Sequence, residues 1–128
     1  MAHGRQAIGS VAVGGAEPLF PAAIKHGDLL FLSGQAPVDP ATLAVCAPDF
    51  AGQAAFVMDR IAETLAAAGC GMQDVLRVEC ILARAEDFRT WNEVFSNAFT
   101  APRPARTTIV AAFVVPDMLL EVQVTAAC

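Results

Sequence analysis

The stretch PARTTIVAAFVVPDMLLEVQV, Pro104–Val124, decides how this chain is read. Its two apolar runs, TTIVAAFVV and MLLEVQV, are rich in strand-forming residues and are parted at Pro116-Asp117, which predicts a pair of strands. Arg106 stands at the mouth of the first run and Glu121 lies inside the second, on a strand face shared with Leu119, Gln123 and Thr125. A strand pair needs neither charge in order to fold. The two are therefore either solvated or salt-bridged surface groups, the commoner fate of a single charge, or parts of a site.

Upstream, DFRTWNEVFSNAF predicts a helix with Asp87 as its N-cap and with Phe88, Trp91, Phe95, Ala98 and Phe99 on one stripe. Asn92 falls on or beside that stripe, where an amide has to find hydrogen-bond partners. VLRVECILA, Val75 to Ala83, alternates around Arg77 and Glu79 as a half-buried strand does. From Asp49 to Ala68 the spacing of Val57, Ile61 and Leu65, with Met58 and Ala68 beside them, predicts an amphipathic helix ended by Gly69. Residues 22–36, AAIKHGDLLFLSGQA, read as two short strands about a turn at His26-Gly27-Asp28, and a further strand is placed near Ile8 to Val13. The order β-β-α-β-α-β-β makes one α+β domain over residues 1–128, a mixed sheet with two helices packed on one face.

The other face of such a sheet is bare in a monomer. Hydrophobic residues make up 55% of the 128 and only 16% are charged, with a mean hydropathy of +0.51. That excess is best accommodated by self-association. It is not a membrane signal, since runs such as Ile109 to Val115 fall well short of the ~18–20 residues of a spanning helix. The amino-terminal segment has no sustained apolar region, so no signal peptide is read and a cytoplasmic location is expected. Cys46, Cys70, Cys80 and Cys128 lack CxxC spacing, and with His3 and His26 they make no credible zinc set; all four are expected as free thiols. A net charge of −5 with scattered basic residues argues against a nucleic-acid binder.

Familiar catalytic patterns fail. Ser33 lies in LSGQ rather than GxSxG, and Gly14-Gly15 opens no phosphate loop. Polar residues set among apolar or aromatic neighbours form a short list: Ser33, Gln35, Asn92, Arg106, Thr108 and Glu121. Taken singly, Ser33 reads as a strand-end hydroxyl, Asn92 as a buried amide and Gly34 as a point of close backbone approach.

Together, GDLLFLSGQAPVDPAT, DFRTWNEVFSNAF and PARTTIVAAFVVPDMLLEVQVTA closely resemble the Rid family, also labelled YjgF or endoribonuclease L-PSP. The likeness covers nearly the whole chain after about residue 17. It implies a chorismate-mutase-like α+β fold, a homotrimer with clefts between subunits, and a deaminase that hydrolyses reactive enamines or 2-imino acids to 2-keto acids and ammonia without a cofactor or metal. By the same resemblance Arg106 grips the substrate carboxylate and Glu121 manages the attacking water, while Ser33 and Asn92 line the cleft; Gly34, next to Ser33, is counted with the substrate-binding residues. Phe20 stands where many family deaminases have a tyrosine, and Thr108 where many have a cysteine; both are counted with the substrate-binding residues. A carboxylate-binding trimer without catalysis, a hydrolase dedicated to an aminoacrylate-type intermediate, and a ribonuclease are the competing readings.

Overall fold

In the computed structural model of the chain, which describes residues 4–15 and 17–128, the elements run β1 (Gln6–Ile8), β2 (Val11–Ala12), β3 (Pro18–Phe20), β4 (Ala23–His26), β5 (Leu29–Leu32), α1 (Phe50–Ala67), β6 (Val75–Leu82), α2 (Phe88–Ala98), β7 (Ala105–Val110) and β8 (Leu120–Ala127). Six strands form one sheet in the order β1-β4-β5-β8-β6-β7. Neighbours are antiparallel except β6 and β7, which are parallel and joined through α2. The sheet is therefore mixed, as the element order predicts.

The two runs of the Pro104–Val124 stretch are strands but do not pair with each other, because β6 lies between them. The first strand also stops at Val110, so Ala111 to Leu119 is a loop. The strand placed near Ile8 to Val13 is two pieces: β1 joins the large sheet, while β2 pairs with β3 in a separate ribbon. Between them Gly9 turns the chain at φ +64°.

One core joins the helices to the sheet. Leu120, Val122, Val124 and Ala126 of β8, Val78, Cys80 and Leu82 of β6, and Leu30 and Leu32 of β5 are buried on the same face. Against them α1 sets Val57, Ile61 and Leu65, the recurrence read from the sequence, together with Ala54, and α2 sets Trp91 and Phe95, followed by Phe99. Asp49 caps α1 by accepting from the Gly52 N–H at 3.2 Å, and Gly69 ends the helix at φ +78°.

Asp87 precedes α2 but does not cap it. A 3-10 turn, Ala85–Asp87, puts it in helical backbone, and its nearly buried carboxylate instead takes two bonds from Arg84, each 2.9 Å. Phe88 departs from its stripe as well, being 46% exposed at the start of the helix.

Gln53 is a fully buried polar side chain in α1 that sequence periodicity does not single out. Its Nε2 donates to the Ala47 carbonyl at 2.9 Å and to the Asp117 carbonyl at 3.0 Å, and its Oε1 accepts from the Leu119 N–H at 2.8 Å. Those bonds hold the entry to β8, where Asp117 adopts φ +70°.

The expectation of four free thiols is corrected. Cys70 and Cys128 form a disulfide across 58 residues, leaving Cys46 exposed and Cys80 buried as thiols. Pairing of β8 with β5 carries the carboxy terminus to the loop that follows α1, a proximity that no local spacing encodes. Asp74 lies close enough to complete a three-ligand cluster with them, but the sulfurs are bonded to each other and Asp74 accepts from the Gly71 N–H at 2.8 Å. Among the described residues no helix is long and apolar enough to cross a membrane.

Closure of that loop stabilises the fold chiefly by restricting the unfolded chain. Cys128→Ser should cost about 2–4 kcal/mol in urea unfolding without reductant. Dithiothreitol should bring the wild type down to the variant. Equal stability of wild type and variant without reductant would show that the cross-link contributes nothing.

Candidate active site

Glu121 and Arg106 lie on opposite faces of the sheet. Register decides this: Glu121 pairs with Ile81 and Arg106 with Val78, and these β6 residues are an odd number of positions apart. Val78 is buried beneath the helices, whereas Ile81 points to the helix-free face.

On the helix side, β7 is an edge strand partly covered by α2. The half-buried Arg106 donates through Nη2 to Asn92 Oδ1 at 2.6 Å, so the amide on the aromatic stripe finds its partner. The guanidinium carbon lies 5.0 Å from the Phe95 ring centroid and 5.5 Å from that of Phe88. Among the described residues it has no carboxylate within ion-pairing distance, unlike Arg60 and Arg84. Thr108, two residues on and facing the same way, buries a hydroxyl that has no hydrogen-bond partner. Beside it the Cys80 thiol is pushed up to about 12 by burial, against the opposing pull of Arg106.

Glu121 belongs to a second group, with Phe20, Ser33 and Gly34, around a cavity of about 430 Å³. At Ser33-Gly34 the β5 side bulges: Phe31 opposes Thr125 and Gln35 opposes Val122, so four steps face three. Gly34 leaves room there for the carboxylate as it stands, since a Cβ would lie 2.8 Å from Glu121 Oε2. Ser33 Oγ donates to the Pro21 carbonyl at 2.8 Å, which leaves its lone pairs for a ligand. Phe20 comes from the β2-β3 ribbon, where it pairs with Val11. Half-burial without a cationic partner raises the Glu121 pKa by desolvation.

The eight residues singled out from the sequence thus fall into two groups, Arg106 with Asn92 and Thr108, and Glu121 with Phe20, Ser33, Gly34 and Gln35. Within one chain these do not converge. Sequence reading missed the cavity wall: Val38 and Leu43 from the loop before α1, and Phe113, Val115 and Met118 from the loop before β8. Apolar residues inside segments punctuated by proline were the available signal. Glu121 and Ile81 also line a second, smaller hollow of about 330 Å³ on the helix-free face, so the carboxylate sits where the cavity meets that face.

Residues 11–128 match the family model described as Endoribonuclease L-PSP. The chain belongs to this family. Among L-PSP relatives, a RutC family protein of Pyrococcus horikoshii is 36% identical over 104 residues, 81% of this chain and 82% of that protein. Reactive Intermediate Deaminase A, chloroplastic, of Arabidopsis thaliana is 33% identical over 101 residues, covering 79% of this chain and 54% of the plant protein. The crystal structure of RidA from an Antarctic Psychrobacter superposes with a TM-score of 0.83 at 29% identity, over 97% of this chain and all of the other. These names make the L-PSP family and the Rid family one group, as the motifs imply.

Two outcomes follow from the geometry around Glu121. In Gly34→Ala the new methyl meets the end of a flexible side chain rather than backbone, so the carboxylate should move while stability stays within about 1 kcal/mol of wild type. A crystal structure of the variant with urea unfolding checks both. Burial makes the folded chain hold the Glu121 proton more tightly than the unfolded chain does. Stability from this group is therefore present at low pH and is lost as pH rises from about 4.3, the unfolded value, through the raised folded value. Glu121→Gln should raise Tm at pH 7 and raise it less at pH 4. The same gain at both would remove burial as the cause.

Proposed function

We propose that the protein is a deaminase that hydrolyses 2-imino acids and their enamine tautomers to 2-keto acids and ammonia, in clefts between the subunits of a homotrimer. The observation that carries this reading is the division of the candidate site: an arginine that has no carboxylate partner among the described residues on one face, and a half-buried carboxylate at the mouth of an apolar cavity on the other. Copies packed head to tail, with the β7 edge of one subunit seated against the helix-free face of the next, would bring the Arg106 group of the first against the Glu121 group of the second. Leu29, Phe31 and Ile109 on that face are exposed in the single chain, which favours its being covered. The plant relative bears the name of a reactive intermediate deaminase.

The chemistry asks little more than orientation. Arg106, held by Asn92 and two aromatic rings, offers a planar fork to the substrate carboxylate. That contact fixes the neighbouring C=N carbon beside Glu121. Water adds to this carbon as the nitrogen takes a proton, which gives a carbinolamine; the C–N bond then breaks, ammonia leaves and the C–O bond becomes a carbonyl. Glu121 accepts a proton from the water and returns one to the departing nitrogen, a role suited to a carboxylate whose proton affinity is raised by burial. Ser33 and Gly34 hold the near side of the substrate, Thr108 turns a polar group toward the carboxylate end, and Phe20 keeps bulk water out.

Ammonia release from 2-iminopropanoate, generated in place by an amino-acid oxidase, tests the reading. The wild type should accelerate it, and folded Arg106→Ala should lose tenfold to about a hundredfold in kcat/KM, the size of a charge-assisted substrate contact. An Arg106→Ala variant as active as wild type would end the assignment. Carboxylate binding without ammonia release from any imine would favour a ligand-binding trimer instead.

A further inference from the structure

The cavity beside Glu121 is larger than small imino acids require. At about 430 Å³ it lies within the ~300–1,000 Å³ of small-molecule sites, whereas a three-carbon imino acid with its carboxylate directed outward would fill only the mouth. Val11, Val38, Leu43, Phe113, Val115 and Met118 form its walls. Its polar lining is confined to Ser33, Gln35, Arg60 and Glu121. Of these, Ser33 donates to Pro21 and the Gln35 main chain is tied to Val122. Arg60 is substantially exposed, stacks 5.3 Å over the Phe56 ring and lies 3.9 Å from Glu63. Among the described lining residues Arg60 is the one cation, and it is already engaged by Phe56 and Glu63.

From this we infer that the enzyme prefers 2-imino acids with large, uncharged apolar side chains, branched aliphatic or aromatic, over three-carbon and acidic ones. The inference rests on the proposed deaminase reading and names its substrate class. The reacting carbon is trigonal, with nitrogen, carboxylate and side chain in one plane. With the carboxylate directed across the helix-free face to a neighbouring Arg106 and the carbon beside Glu121, the side chain is left pointing into the cavity. Each methylene buried there improves binding about fourfold, and a charged side chain would lose its hydration without a partner. Phe20 suits this preference, because its ring supplies apolar wall without a hydroxyl.

The test is a comparison of kcat/KM for imines generated in place by matching oxidases from leucine, phenylalanine, alanine and glutamate. The leucine- and phenylalanine-derived imines should exceed the alanine-derived imine at least tenfold, with the glutamate-derived imine slowest. Equal or faster turnover of the alanine-derived imine would overturn the inference while leaving the deaminase reading intact. Preference for the glutamate-derived imine would also overturn it and would make Arg60 the side-chain anchor. No acceleration of any imine would overturn both. Ala112, an exposed loop residue lining the cavity, supplies a second arm. Ala112→Phe should lower the leucine-to-alanine ratio at least tenfold, and an unchanged ratio would show that the side chain does not enter the cavity.

Discussion

Strand β8 is paired along both edges, to β5 on one side and β6 on the other, and everything else in the fold is arranged about that constraint. A strand held on two sides cannot slip by one residue without turning its whole apolar set outward. Leu120, Val122, Val124 and Ala126 are completely or almost completely buried under the helices, so Glu121, Gln123 and Thr125 have only the other face to occupy. Glu121 is thus placed by the core beside it rather than by any bond of its own. The same rigidity passes through β6 to β7, which sends Arg106 to the helix side.

Both halves of the candidate site carry features that folding alone would not select. A carboxylate moved from water to half-burial without a cation is less stable in its charged form, and Gly34 has no side chain precisely where that carboxylate needs room. Arg106 sits between two aromatic rings with an amide as its hydrogen-bond partner, although acidic residues outnumber basic ones thirteen to eight in the chain. Such departures from local economy gather at sites of function.

Much of the fold was legible because it depends on local periodicity. The β4-β5 hairpin, α1 from its Asp49 cap to Gly69, and the alternation in β6 and β8 all follow from patterns contained within one element. What was not legible depends on relations between elements. The face of Arg106 relative to Glu121 cannot be read from either strand, since it is set by registers through a third. Cys70 and Cys128 meet only after β8 has paired, and Asp87 loses its capping role to Arg84 through a 3-10 turn that the helical pattern does not announce. Polar residues among apolar neighbours marked most of the candidate site, the L-PSP likeness gave them roles and added Phe20, and their division between two faces came from the structure.

Gln53 has a consequence for how such a pocket diversifies. Its side chain bonds Ala47 in the loop before α1 and both Asp117 and Leu119 in the loop before β8. These two loops also furnish much of the cavity wall. An insertion near either anchor would strand a buried amide, so the loops cannot freely change length independently. Descendants of this chain can therefore retune the cavity most readily by exchanging one side chain for another, and only with difficulty by growing new loops over it.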